Sequence, residues 1–97
     1  MPMRFTWNAA KAESNLKKHK VSFETAARPF ALSEQDRIEG GEQRWQTIGL
    51  VEGHILLLVA HTVAEEGDND EYVEFIHIIS ARRAEPTERK RYEEERR

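Results

Sequence analysis

Six consecutive apolar residues, Ile55 to Ala60 (ILLLVA), constrain this chain most. Neighbouring side chains of a strand point to opposite faces, so a strand apolar at every position needs cover on both sides. The run is far shorter than the roughly 20 residues that cross a bilayer. A central strand between two layers is therefore expected, each buried side chain stabilising by roughly 1.5 to 3 kcal/mol. Hydrophobic residues are 38% and charged residues 34% of the 97, enough for one small core under a charged exterior, so residues 1–97 are read as a single domain. The absence of cysteine removes disulfides, thiolate ligands and Cys nucleophiles, and fits a reducing, cytoplasmic setting. MPMRF lacks the apolar stretch of a secretory signal, so a soluble, unexported protein with no membrane association is expected.

Around that strand the pattern reads α+β. MRFTW alternates Met3, Phe5 and Trp7 as a short first strand. Asn8 can cap a helix in which Ala9, Ala12, Leu16 and His19 form an apolar stripe beside Asn8, Lys11, Asn15 and Lys18, ending near Lys20. Ser22 can cap a second, shorter helix through FETAARPFAL, bent or ended around Pro29. Gly40–Gly41 and Glu52–Gly53 mark tight reversals, and EEGDNDE (65–71) reads as a longer acidic loop. Residues 34–80 are thus expected to form a four-stranded antiparallel meander. A last helix starts at Pro86 behind Glu85 and carries a single sizeable apolar residue, Tyr92, so it should be held lightly and lead away toward a partner.

Charge is segregated along the chain. Residues 1–28 hold six Lys/Arg against two Asp/Glu, residues 29–81 two against eleven, and residues 82–97 seven against five. The net charge of −3 argues against a polyanionic partner, but local field steers ligands, and two basic ends brought together would attract phosphate.

His19, His54, His61 and His77 show no metal-ligand spacing, and the acidic stretch lacks the full calcium-loop pattern, so no metal or cofactor is expected. No glycine-rich phosphate loop or nucleophile elbow is present. The remaining groups suit metal-free cleavage of RNA, which needs a base for the 2′-hydroxyl, an acid for the leaving oxygen and fixed positive charge on the phosphate. Arg82 and Arg83 are the candidates for phosphate, with Arg44 and Lys18 in support, and His61 leads as acid or base with His19 as alternate. Continuous strand parity would put Ile76, Ile78, Ser80 and Arg82 on one face and His77, Ile79 and Arg83 on the other. Each residue also has a plainer reading: His61 as a hydrogen-bonded strand-end histidine, Lys18 as a solvated charge, Arg83 as an ion-pair partner.

FTWNAAKAESNLKKHKVSFETAA, EQRWQTIG, VAHT and IISARRAEPTERKRYEE, in that order, resemble the BrnT family of type II toxin components. The W-x-x-x-K-x-x-x-N-x-x-K-H and I-I-S-A-R-R-A elements carry the resemblance. It implies a RelE-like fold, translation-arresting RNA cleavage, and neutralisation by a BrnA-type ribbon-helix-helix antitoxin whose complex alone binds operator DNA. The resemblance assigns Trp7, Lys11, Asn15, Lys18, His19, Arg44, Arg82 and Arg83 to the site, with Arg82 as first choice for the catalytic phosphate contact and Arg83, Arg44, Lys11, Trp7 and Asn15 as RNA contacts. This chain departs from the family pattern at Asn8, Lys20 and His77, where Asp, Gly and Arg are usual, and in its acidic 65–71 segment. The joint expectation is that the SARR strand end, the first helix and His61 line one pocket. The competing expectation is a catalytically weak toxin fold that serves mainly as antitoxin partner and co-repressor.

Overall fold

The computed structural model describes residues 3–31, 35–39, 44–53, 55–68 and 71–95. Strand β1 (Met3–Trp7) leads into helix α1 (Ala9–His19), helix α2 (Phe23–Ala27) and a 3-10 turn (Arg28–Ala31). Strands β2 (Gln35–Glu39), β3 (Arg44–Val51), β4 (Ile55–Asp68) and β5 (Glu71–Arg83) follow, and helix α3 (Pro86–Glu95) closes the chain. Strands β2 to β5 form the expected antiparallel meander, but β1 joins it, parallel to β5, giving one mixed sheet in the order β1-β5-β4-β3-β2. Pairing Met3, Phe5 and Trp7 with Glu74, Ile76 and Ile78 widens the apolar face by one strand. The Gly40–Gly41 reversal and His54 lie outside the described residues.

Strand β4 is central and covered on both faces, as its unbroken apolar run requires. On one face Leu57 and Val59 pack with Ile76, Ile78 and Ala81 beneath Val21, Phe23, Ala26 and Phe30. The 3-10 turn comes so close to β3 that a Cβ at Gly49 would lie 2.8 Å from that of Pro29. On the other face Leu56, Leu58 and Ile48 pack against Tyr92 of α3. The last helix therefore lies on the sheet instead of leading away. Glu85 opens it: its carbonyl accepts from Arg89 N at 2.9 Å, and its N–H donates to Glu88 Oε1 at 2.7 Å, half of a capping box.

The acidic 65–71 segment is mostly strand. Glu65, Glu66, Gly67 and Asp68 pair with Glu74, Val73, Tyr72 and Glu71, and Asn69 and Asp70 lie outside the described residues. Charged residues are tolerated there because most of this part of the β4-β5 ribbon is exposed.

A second departure comes from register. Ala60 pairs with Ser80 but His61 with Ile78, so Ile79 is an extra residue in β5. The bulge reverses parity beyond it. Ile76, Ile78 and Ala81 share the α1/α2 face, whereas Arg82, opposite Leu58, points to the α3 face.

In α1 the caps form as read: Asn8 Oδ1 accepts from Lys11 N at 3.0 Å, and Lys20 ends the helix in the left-handed region at φ 60. The buried stripe differs. Leu16 is 48% exposed while Asn15 is 7% exposed, since Asn15 has partners that only an amide can serve. Its Nδ2 donates to Val21 O (3.0 Å) and Ala81 O (2.8 Å), and its Oδ1 accepts from Ala81 N (3.1 Å). Strand β1 pairs with β5 only as far as Ile78, so the backbone of Ala81 finds its partner in this side chain. Among the described residues no helix is long and apolar enough to cross a membrane.

Candidate active site

The Asn15 staple holds α1 alongside the edge of β5 just past the end of β1. A shallow groove of about 300 Å³ opens between them, with Lys11, Ser14, Asn15, Lys18 and His19 from the helix and Ile79 and Ser80 from the bulge. Spacings of three, four and seven along one helix bring these side chains to one face. None of the lining residues is acidic. Glu13 lies elsewhere on α1 and pairs with Lys17 at 3.3 Å. Lys18 and His19 occupy the last helical turn, whose carbonyl ends favour positive charge.

The expected common pocket of Arg82 and His61 does not form. His61 is wholly buried beneath the α1/α2 layer. Its Nε2 lies 2.7 Å from Thr47 Oγ1, its Nδ1 3.3 Å from Thr62 O, and its ring meets Phe30 edge-on at 4.9 Å. A carbonyl can only accept, so Nδ1 carries a proton, and Nε2 shares its hydrogen bond with the Thr47 hydroxyl. This is a buried, hydrogen-bonded core histidine out of a phosphate's reach. Arg82, on the opposite face, is held bidentately by Glu88 at 2.7 and 2.9 Å. That hydrogen-bonded pairing raises the Arg82 pKa and holds the Glu88 carboxyl below its ordinary value, the Glu85 N–H adding to the latter.

The other expected residues divide. Lys11, Asn15, Lys18 and His19 share the groove, Asn15 as the staple. Arg83 is exposed on the face opposite Arg82, in register with Leu57. Trp7 packs on the core, its ring 6.0 Å from that of Phe23. Arg44 is exposed at the start of β3, across from Thr62 on the α3 face.

Ser80 connects the two regions: it lines the α1 groove and lies two residues before Arg82 on the same face. Sequence reasoning missed Ser80, and it missed the exposed Arg4 and His77, which the parallel β1-β5 pairing places on one face in neighbouring rows. Thr6 and His77 are register partners, with Oγ1 2.8 Å from Nδ1. Alternation along MRFTW was the available signal for Arg4 and Thr6; the strand they would join was not encoded locally.

The family profile described as "Ribonuclease toxin, BrnT, of type II toxin-antitoxin system" matches residues 7–88, spanning α1, the staple, the bulge and Glu88. The chain belongs to the BrnT family of ribonuclease toxins. Its fold is similar to the crystal structure of the Brucella abortus ribonuclease toxin BrnT, with a TM-score of 0.65 at 21% identity over 88% of this chain and 99% of that one. A search of curated proteins found no significant match. The BrnT match ends at Glu88, so it includes Tyr72 and the Arg82–Glu88 pair but not Tyr92.

Proposed function

We propose that this BrnT-family chain, as one toxin domain over residues 1–97, cleaves RNA without a metal ion in the cytoplasm, arrests translation and is neutralised by a BrnA-type ribbon-helix-helix antitoxin. The observation that carries this reading is the α1-β5 groove, where two lysines and an imidazole converge with no carboxylate in the lining. In the proposed reaction His19 takes the proton of a 2′-hydroxyl, the freed oxygen attacks the adjacent phosphorus, and the P–O5′ bond breaks. The 5′ oxygen leaves with a proton from Lys18, and Lys11 balances charge on the phosphate, leaving a cyclic phosphate. Arg82 lies on the adjoining surface and joins the phosphate when Glu88 releases it. Operator DNA is contacted only through the antitoxin complex.

Purified protein should fragment RNA in the presence of EDTA, and co-expressed antitoxin should restore growth. Cleavage abolished by EDTA would overturn the metal-free reading. A second reading, a weak toxin fold acting mainly as antitoxin partner and co-repressor, is favoured by one observation: both terminal nitrogens of Arg82 are already bound to Glu88. Normal growth on full expression of folded protein would select it.

A further inference from the structure

Helix α3 covers one end of its sheet face, over Ile48, Leu56 and Leu58. Toward the other end, four strands present a row in register: Thr6 on β1, His77 on β5, Thr62 on β4 and Arg44 on β3. Arg4 and Phe75 pair in the next row, two residues along their strands and therefore on the same face. Arg4, Thr6, His77 and Arg44 are all exposed. Three spacings of about 4.8 Å make the row about 14 Å wide.

We propose that this uncovered part of the sheet is a second RNA-contacting surface, on which Arg4, His77 and Arg44 hold a single-stranded segment leading into the α1 groove. The inference rests on the ribonuclease reading. Arg44 at one end of the row and Arg4 beside its other end, in the next row, match a polyanionic backbone. The half-buried Phe75 and the His77 ring offer surfaces for base stacking, and the Thr6 and Thr62 hydroxyls offer partners for ribose and base edges. Thr6 fixes the His77 ring through Nδ1.

Charge also sets the direction. Glu66 and Glu71 line the same face nearer the hairpin tip, beyond Phe75 and Val73, and would repel phosphate there. The Arg82–Glu88 pair lies toward α3. The favourable course therefore runs across the strands along the Arg44–His77 row, with Arg4 flanking it on the hairpin side and Ser80, on the other side of His77, as the passage to the groove. The charged groups flanking His77 are then Arg4 on β1 and Arg44 on β3, with Glu66 and Glu71 toward the hairpin tip and the Arg82–Glu88 pair, Arg91 and Glu95 toward α3.

The test is binding of a single-stranded RNA oligonucleotide whose 2′-hydroxyls are methylated, so that it cannot be cleaved, followed by fluorescence anisotropy over a salt series. Arg4→Ala and Arg44→Ala should each weaken binding several-fold and lower the salt slope by about one, the signature of a lost phosphate contact. His77→Ala should weaken binding several-fold with the salt slope unchanged, the signature of a lost stacking surface. Unchanged affinity in these variants, an unchanged salt slope in the two arginine variants, or no binding by the wild-type chain would overturn the inference. Thermal melts check that the exposed substitutions leave the fold intact. Cleavage is measured separately: the expected binding pattern without wild-type cleavage removes the catalytic reading alone, and intact cleavage with unaltered binding removes this inference alone.

Discussion

His61 and His77 sit on neighbouring strands one register step apart, and each is hydrogen-bonded to a threonine, Thr47 or Thr6, on an adjacent strand. Their fates are opposite. His61 faces the side roofed by α2 and the 3-10 turn and is wholly buried, while His77 faces the side that α3 roofs only at one end and is exposed. An imidazole can meet substrate only where the second layer of the fold stops short. Layer coverage, more than residue type, decides which groups of this sheet can do chemistry.

The largest effects are expected on the roofed face. Leu57→Asp places a carboxylate at a position 1% exposed in the core, and no cooperative thermal transition should remain. Asn15→Ala removes three buried hydrogen bonds and leaves the Ala81 backbone unserved, which should cost about 3 kcal/mol in chemical denaturation. It should also weaken the α1-β5 groove, so RNA cleavage falls with it.

On the thinly roofed face the effects are smaller. Glu88→Gln should cost about 1 kcal/mol, the upper end for a partly exposed ion pair. The sign of its pH dependence follows from the lowered Glu88 pKa. A depressed carboxyl contributes stability above its unfolded value of about 4.3, and this is lost as pH falls through the folded value. The gap in melting temperature between wild type and Glu88→Gln should therefore close on acidification. Smallest is a gain: Lys20→Gly, at φ 60 where a side chain strains the backbone, should stabilise by about 1 kcal/mol in a thermal melt.

What sequence made legible was local. The Asn8 and Ser22 caps, the helix end at Lys20, the positive φ at Gly53 and the two-sided burial of β4 each follow from a few adjacent residues. The misplaced features are pairings between distant segments. Alternation in β1 says nothing of its parallel partner 71 residues away, as the Thr6–His77 contact records. The bulge at Ile79 is set by the β4-β5 register, and it alone sends Arg82 to the opposite face from the one that carries His61. Asn15 reads as polar surface until Ala81, 66 residues on, presents an unpaired backbone. The groove was half legible: the helical spacing of Lys11, Asn15 and Lys18 gathers one wall, but the β5 edge that forms the other is nonlocal.

The central claim is that the working imidazole belongs to the groove and not to the core. Cleavage rates of His19→Ala and His61→Gln, taken side by side on one RNA substrate, test it most directly. The account predicts a loss of at least about a hundredfold for His19→Ala, as expected when a proton-transfer group is removed, and a rate within a few-fold of wild type for folded His61→Gln. The reverse pattern, His19→Ala active and folded His61→Gln inactive, would contradict it.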